Sequence, residues 1–332
     1  MQAHDQRVET PSNQNQTTET TTVPRPKPQR LLWLRSFLGN RKAAVGITIL
    51  LTFIIVSLLA PIIAPEDPQA FVGLPNQPPS AEHWMGTSGQ GQDVFTQLVW
   101  GTRASLLVGF SAGALITVVG AIIGLTAGYF SGWVDDVLSL MMNVVLIIPP
   151  LPLLVTLAAF LRPGPGSVII VLSIVGWAWG ARVLRAQMLS LREKDFVFAA
   201  LVSGENSSRI IFREIFPNMA SIFISGFVGA TIYAIGADVG LAFLGLSNLG
   251  IVSWGTILYW AVTNASLLVG AWWTFIPAGL CIALVAFSLA MINYAMDEIT
   301  NPRLRAEREL SNVVKQHQLQ NVRATPVVRR AR

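Results

Sequence analysis

Long uncharged apolar runs alternate with shorter polar segments along this chain of 332 residues. Six of the runs are each close to the roughly 20 helical residues that cross a hydrocarbon core of about 30 Å. The runs are continuous and lack the alternation of apolar and polar positions that marks a membrane-spanning β-strand, so helices are favoured over a β-barrel. The pattern predicts six transmembrane helices, over 43–64, 105–130, 137–161, 167–183, 219–246 and 271–295.

Composition agrees with this pattern. Hydrophobic residues make up 52% of the chain and charged residues 12%, and the mean hydropathy is +0.54. These values are too apolar for a soluble domain of this length. We therefore predict an all-α integral membrane protein.

The positions of Lys and Arg predict the orientation of the helices, because cytoplasmic segments retain positive charge. Of the 23 basic residues, all but Arg103 and Arg162 lie before the first span, after the sixth, or from Arg182, at the very end of the fourth span, to the start of the fifth. Both termini and the segment between spans four and five are therefore predicted to be cytoplasmic, and 65–104 to be an extracytoplasmic loop. The charge bias reflects topology and lipid headgroups, so no nucleic-acid partner is expected.

The two ends of the chain differ from its middle. Residues 1–30 are rich in Pro, Thr and Gln and poor in large apolar groups, which predicts disorder. Residues 31–42 mix leucines and aromatic residues with basic ones, and are interpreted either as an amphipathic helix at the inner membrane surface or as an extension of the first span. Residues 105–296 form the predicted core, and 297–332 form a cytoplasmic tail.

Catalytic chemistry is nearly excluded by the residues available. The chain has one cysteine, Cys281, and three histidines in separate segments, His4, His83 and His317, so neither an internal disulfide nor a zinc site is expected. The glycine-rich stretch SGQGQD lacks the Gly-Lys-Ser/Thr ending of a nucleotide-binding loop. We expect no catalytic residue, cofactor or metal in this chain, so any ATP must be handled by another chain.

The segment KDFVFAALVSGENSSRIIFREIFPNMA, residues 194–220, makes up most of the loop 190–218 between spans four and five. From Phe196, small residues follow at helical spacing and form one smooth face: Ala199, Ala200, Ser203 and Gly204. Either a short helix across the cytoplasmic face or a plain surface hairpin fits this pattern.

The ends of this short helix are also marked in the sequence. Gly204 can end it in the left-handed conformation, and Asn206 or Ser207 can cap a second helix. Pro217 is expected to stop that second helix, because a proline disfavours helical geometry at the residue before it, Phe216.

DFVFAALVSG with IFP resembles the Glu-Ala-Ala-x3-Gly-x9-Ile-x-Leu-Pro loop of permease subunits in binding-protein-dependent ABC importers. Phe198, Glu214 and Phe216 depart from that pattern at its Glu, Ile and Leu positions. The resemblance implies a coupling helix that docks on an ATPase subunit. The residues it assigns to coupling are Asp195, Phe196, Ala199, Ala200, Ser203, Gly204, Glu214 and Pro217.

Further motifs narrow the resemblance to the dipeptide and oligopeptide permease branch. HWMGTSGQGQDVFTQLVWGTRASL is similar to the branch's His-x-x-Gly-Thr-Asp-x-x-Gly-Arg-Asp signature, with Ser88 and Gln92 in place of an Asp and an Arg. GLAFLGLS, SWGTIL and NPRLR also resemble the branch. The resemblance implies half of a translocation pathway for a peptide or an oligosaccharide, in a bacterial or archaeal cytoplasmic membrane.

The same resemblance implies the partners. They are a second, dissimilar permease chain, two ATP-binding subunits that hold ATP and Mg, an extracytoplasmic solute-binding protein and membrane lipids. Five arginines near the loop could add charge complementarity to the ATPase contact or simply contact lipid headgroups: Arg182, Arg185, Arg192, Arg209 and Arg213.

Three other features allow two interpretations each. Pro149 and Pro150, with Pro152, must kink the third span and could line the pathway or form a packing kink. Asp238 is an acid well inside a span, and it could line the pathway or bind a neighbouring backbone or subunit. The third feature is a group of aromatic residues in the last outer loop, which could form an interfacial aromatic belt or a docking surface for a binding protein: Trp254, Tyr259 and Trp260.

Two other classes of protein compete with the importer interpretation. An ion-coupled secondary transporter needs ionisable groups inside the membrane and often has inverted halves, whereas Asp238 is nearly alone and the halves differ in their loops. A membrane scaffold or receptor would not need the Ala-Ala-x3-Gly loop.

Overall fold

The computed structural model describes residues 40–300. The helices in chain order are α1 (Arg41–Ile63), α2 (Val94–Phe130), α3 (Gly132–Ile147), α4 (Pro150–Phe160), α5 (Pro165–Arg192), α6 (Asp195–Val202), α7 (Ser207–Phe243), α8 (Trp254–Thr263) and α9 (Ile276–Thr300). Over this range the only extended pairing is an isolated bridge between Thr87 and Asp93. The predictions for 1–30, for most of 31–42 and for most of 297–332 lie outside the described residues.

Five helices of the described chain are long and apolar enough to cross a membrane, and a sixth span is formed if α3 and α4 are counted together. These two helices meet at 91°, so the predicted third span, 137–161, is a broken helix. Ile148 is extended because it precedes Pro149, and the missing N–H groups of Pro149 and Pro150 cannot continue the hydrogen-bond ladder of α3.

Three helices extend beyond the spans predicted for them; one of these, α7, begins at Ser207, before the predicted start at 219. The carboxylate of Asp93 caps α2 by accepting the N–H of Thr96 at 2.8 Å, so residues 94–104 belong to α2 and not to the predicted outer loop 65–104. Helix α5 continues to Arg192, beyond the predicted span 167–183. The predicted spans were drawn from apolar windows, whereas an α-helix can continue through charged residues such as Arg103 and Arg185.

Helix α2 is the centre of the bundle and packs against α5 along a row of glycines, Gly120, Gly124 and Gly128. A Cβ atom on Gly124 would lie 2.4 Å from the carbonyl oxygen of Ala181. Small residues allow membrane helices to approach closely where lipid supplies no hydrophobic driving force. The α2–α5 contact therefore depends on the absence of side chains at these positions.

The two ends of the described chain lie together. The amide of Asn40 donates to the carboxylate of Glu298 at 3.0 Å, and the ammonium of Lys42 is 3.9 Å from the same oxygen. Asn40 also caps α1 by accepting the N–H of Lys42 at 3.0 Å, so residues 41 and 42 belong to the first helix. The start of α1 and the end of α9 are thus on one side of the bundle.

Candidate functional site

The predicted coupling segment lies at the same end of the bundle as the start of α1. The carbonyl of Ala64, just after α1, accepts the indole N–H of Trp100 at 2.9 Å near the start of α2, so α1 and α2 are antiparallel. At the other end of α2, Arg192 donates to the carbonyl of Tyr129 at 2.9 Å. Helix α6 follows Arg192 directly and therefore shares this end, which we call the α6 end.

One side of α6 is anchored in the bundle. Val197 is fully buried and belongs to an apolar cluster with Met188 of α5 and with Ile210, Ile215 and Met219 of α7. This cluster joins α6 to the two long helices that flank it. A shift of α6 must therefore displace α5 and α7, because close-packed interiors transmit strain.

The other side of α6 is exposed and more apolar than the small face predicted from the sequence. Ala199 is exposed and Ala200 is half-buried. Large apolar side chains are exposed beside them, among them Phe198 at 54% and Val202 at 90%. With Phe196 and Leu201, also exposed, they form what we call the α6 face. The alanine spacing correctly predicted a helix at α6, but it did not indicate that Leu201 and Val202 would be solvent-accessible.

The turn after α6 has the predicted geometry. Gly204 has φ +77°, a conformation that disfavours residues with a Cβ atom. Asn206 then caps α7 by accepting the N–H of Arg209 at 3.0 Å. The guanidinium of Arg209 is 2.9 Å from the carboxylate of Glu205, which is four residues earlier.

Pro217 does not stop the second helix, so that prediction was wrong. Phe216 has helical angles, φ −57° and ψ −40°, and its N–H donates to the carbonyl of Ile211. This π-helical turn, Ile210–Ile215, shifts the hydrogen-bond register just before the proline and makes room for a residue without an N–H. Glu214 is half-buried in the turn, and Pro217 is exposed at the start of the α-helical continuation.

Most of the arginines near α6 are held within the chain. Arg185 contacts Asp135 through two hydrogen bonds, of 2.5 and 2.6 Å. Arg182 donates to the side-chain oxygen of Asn143 at 2.6 Å, and Arg192 is bonded to α2 as described above. These three guanidiniums therefore tie α5 to α2 and α3, and only part of their charge remains for a partner or for lipid.

A large cavity, with a volume of about 510 Å³, lies between α2, α5 and α7. Pro150 of α4 lines it, with Gly176 and Trp179 of α5 and Gly226 and Tyr233 of α7. Its walls are mostly apolar, and the hydroxyl of Tyr233 is buried without a partner in the described residues. The sequence interpretation missed this cavity. The available signal was the glycines at spacings of three and four in spans four and five.

The candidate pathway residues are not brought together. Pro150 lines the large cavity, Pro149 precedes α4 as its cap, and Asp238 lies towards the opposite end of the bundle. Asp238 is only 4% exposed and lines a cavity of about 20 Å³ with Ser247, among others.

The loop between α1 and α2 closes on itself through its glycine-rich stretch. The hydroxyl of Ser88 accepts the backbone N–H groups of Gln90 and Gln92 at 3.2 Å each, so it takes the acceptor role that an Asp would have in such a turn. The side chain of Gln92 donates to the carbonyl of Gln69 at 3.1 Å. The two departures from the resembled pattern are therefore accommodated within a folded loop.

Trp254 does not belong to an interfacial aromatic belt, so that interpretation was wrong for this residue. It is fully buried, and its ring meets that of Phe53 edge-on at 5.8 Å. Its backbone N–H donates to Ser105 at 3.1 Å, because α8 folds back onto the start of α2. Tyr259 and Trp260 are half-buried.

Comparison with known proteins gives consistent results. The family described as binding-protein-dependent transport system inner membrane component matches residues 120–306, and the N-terminal TM domain of oligopeptide transport permease C matches residues 30–79. The chain is 34% identical over 271 residues to the dipeptide transport system permease protein DppC of Alkalihalophilus pseudofirmus, covering 80% of this chain and 88% of that relative.

Two relatives from Bacillus subtilis show similar coverage. The dipeptide transport system permease protein DppC is 30% identical over 297 residues, covering 88% of this chain and 92% of its own. The oligopeptide transport system permease protein OppC is 31% identical over 274 residues, covering 81% of this chain and 88% of its own.

The apolar helical bundle, the short helix α6 with its exposed face and the cavity between long helices define a multi-pass membrane permease. The chain belongs to the family of binding-protein-dependent transport system inner membrane components. It is thus a multi-pass transport component of an inner membrane. Within the described residues, no group of three His, Cys, Asp or Glu side chains could hold a metal ion.

Proposed function

We propose that this chain forms half of the translocation pathway of an ABC importer for short peptides. A second, dissimilar permease chain supplies the other half, an extracytoplasmic binding protein delivers the peptide, and two ATPase subunits carry ATP and Mg²⁺. Membership of the binding-protein-dependent family supports this role. The names of the dipeptide and oligopeptide permease relatives support peptide over oligosaccharide as the solute.

The observation that carries the ATPase contact is the α6 face. Phe198 and Val202 are exposed on one side of α6, whereas Val197 is fully buried on the other. A helix that presents such large apolar groups at a bundle end, beside small residues that permit close approach, is suited to a protein–protein contact. In this proposal the α6 face docks on an ATPase subunit, and the apolar cluster around Val197 transmits its movement to α5 and α7.

The large cavity is the proposed pathway segment. Its apolar walls and its glycines, Gly176, Gly180, Gly226 and Gly229, impose no charge or shape requirement on a passing side chain. The hydroxyl of Tyr233 is buried at the wall without a partner among the described residues, so a peptide backbone that reached it would find a free hydrogen-bonding group. Such a surface suits solutes that share a backbone and differ in their side chains.

The proposed orientation places the α6 end in the cytoplasm, with both termini on that side. The basic residues of α5 and α7 cluster at this end, and the start of α1 and the end of α9 lie there as well. Family membership also favours this mechanism over an ion-coupled transporter or a scaffold without transport.

Cysteine cross-linking tests the docking contact directly, because the chain has a single cysteine, Cys281, which is buried. After Cys281→Ser, we expect Ala199→Cys to cross-link to a cysteine scanned along the ATPase surface in the assembled transporter. Leu268→Cys, in the loop between α8 and α9, is the matched exposed control and should give no such product. If Ala199→Cys and Leu268→Cys give equal yields, α6 is not the docking site.

Uptake in proteoliposomes tests the transport function itself. With the partner permease, the ATPases and the loaded binding protein present, we expect labelled tripeptide to accumulate only with hydrolysable ATP. A labelled oligosaccharide of similar size should not accumulate. Uptake that persists without the ATPases and follows an ion gradient would contradict the importer mechanism.

A further inference from the structure

Three of the adjoining cavities at the end of the bundle opposite α6 form what we call the outer depression. The largest, about 450 Å³, shares Gln69, Gly250 and Val252 with a cavity of about 210 Å³. It shares Ala104, Pro165 and Ile251 with the cavity of about 20 Å³ that Asp238 lines. The combined space is in the size range of small-molecule sites.

Asp238 is the unusual group in this depression. It is 4% exposed, and no described residue donates a hydrogen bond to its carboxylate. A buried carboxylate without a partner is costly in its charged form, and a positive ligand beside it would stabilise that form. It lines the smallest cavity together with Ser247, Asn248 and Ser253.

The space beside Asp238 matches one chemical group. A cavity of about 20 Å³ holds a single water-sized group, since about 10–15 Å³ already accommodates one water. An ammonium group is of that size, carries the complementary charge and donates three hydrogen bonds. Ser247 and Asn248 supply neutral oxygen acceptors next to the carboxylate.

The rest of the outer depression fits the remainder of a short peptide. Arg103 lines the 450 Å³ cavity, where its guanidinium lies 5.7 Å from the ring centre of Trp100 and forms no ion pair with any described residue. In the adjoining cavity, the amide of Gln97 donates to Gln92, which in turn donates to the carbonyl of Gln69. A buried acid, an available cation and a wall of amides complement a zwitterion with a polar backbone.

We propose that Asp238 binds the α-ammonium group of a short peptide lying in the outer depression. This inference rests on the proposed peptide-import function and adds a specificity contact to it. It places the amino end of the peptide against the start of α2 and the end of α7, before the peptide reaches the large cavity. Peptides without a free amino end should then be poor solutes for the permease, independently of the binding protein.

The test compares Ala-Ala-Ala with its des-amino analogue in proteoliposomes that contain the complete transporter. The binding protein is saturated with either probe, and its loading is verified separately by fluorescence. For the wild type we expect faster uptake of the free-amine peptide. Asp238→Asn should lower that uptake by about tenfold or more, the effect of losing a charge-assisted hydrogen bond, and leave uptake of the des-amino probe unchanged.

Two controls keep the outcome interpretable. Asp136→Asn removes an exposed carboxylate at the other end of the bundle and should leave both probes unaffected. The melting temperature and the ATPase activity of each variant show whether the transporter has assembled. If Asp238→Asn lowers the uptake of both probes equally, or of neither, the proposal is overturned.

A buffer with choline in place of Na⁺ and K⁺ tests the remaining alternative, which is that Asp238 binds an inorganic cation instead of the ammonium group of a peptide. If wild-type uptake of both probes is lost in choline, Asp238 binds an inorganic cation and the proposal is overturned; unchanged uptake supports it. A wild type that imports no peptide at all, with loaded binding protein and ATP, refutes the proposed function rather than this assignment.

Discussion

Replacing Val202 by serine should weaken ATPase docking without weakening the fold of the permease. Val202 is 90% exposed at the last position of α6, so its side chain contributes almost nothing to the bundle. Burying a valine side chain contributes about 1.5–3 kcal/mol. If docking covers Val202, then Val202→Ser should raise the dissociation constant of the ATPase by about tenfold, since 1.4 kcal/mol corresponds to a factor of ten.

A second substitution on the same face should increase the loss of ATPase affinity. Phe198 is 54% exposed and lies one helical turn before Val202, so both side chains belong to the α6 face. The double variant Phe198→Ser/Val202→Ser should therefore weaken docking by about a hundredfold if the two contributions add, although neighbouring residues can couple. The free energy of unfolding should change by no more than about 0.5 kcal/mol for Val202→Ser, as for other surface substitutions.

The assay is a titration of the purified ATPase onto nanodiscs that contain the permease pair, followed by the rate of ATP hydrolysis. Leu268→Ser is the matched control, because Leu268 is similarly exposed, at 87%, in the loop between α8 and α9. Equal affinity for wild type, Val202→Ser and the double variant would refute the reasoning, and α6 would be a surface hairpin. Equal weakening by Leu268→Ser would point to a nonspecific loss of apolar surface.

Three further predictions concern the bundle. Gly124→Leu should destabilise the protein by about 1–3 kcal/mol, because its Cβ would lie 2.4 Å from the carbonyl oxygen of Ala181; Gly164→Ala, which meets nothing within 4 Å, should be neutral, and thermal unfolding in detergent checks both. Asp135→Asn should lower the free energy of unfolding by about 1.5–3 kcal/mol, because it breaks the charge-assisted contact with Arg185. A double-mutant cycle with Arg185→Met should show that the two losses of stability are not additive. Gly226→Leu should keep or slightly raise thermal stability, since nothing lies within 4 Å of its Cβ position, yet lower peptide uptake by filling the large cavity; unchanged uptake would argue against a pathway there.

The membrane class and the approximate position of each span followed from the sequence because burial in lipid needs only length and hydropathy. The turn at Gly204 followed for a similar reason, since a glycine after a helical pattern is a local signal. Predictions from local sequence were wrong where contacts with another segment determine how far a helix extends. Helix α5 continues past Arg182 and Arg185 because α3 supplies Asn143 and Asp135 as partners.

The predictions for Pro217 and Trp254 were wrong for the same physical reason: the surrounding structure overrode a local sequence signal. A proline is expected to stop a helix, but the preceding π-helical turn absorbs its missing N–H. A tryptophan near a predicted span end is expected at the membrane interface, but α8 folds back and buries Trp254 against Phe53. The cavities were also missed, because glycine spacing marks a small helix face but does not tell which segments, distant in the sequence, converge on it in the fold.

The way α6 is held determines what a docked ATPase could move. A loop attached only at its ends would absorb a push, whereas α6 has its own buried residue, Val197, in contact with a cluster that includes Met188 of α5 and Ile215 of α7. The π-helical turn lies inside that cluster, with Ile210 and Ile215 fully buried. A displacement of α6 therefore reaches α7 through packed side chains as well as through the backbone. Helix α7 carries Gly226 and Tyr233 in the large cavity and Asp238 in the outer depression. One continuous helix thus connects the proposed docking face with both proposed solute contacts, so a rotation of α7 would change the two cavities together.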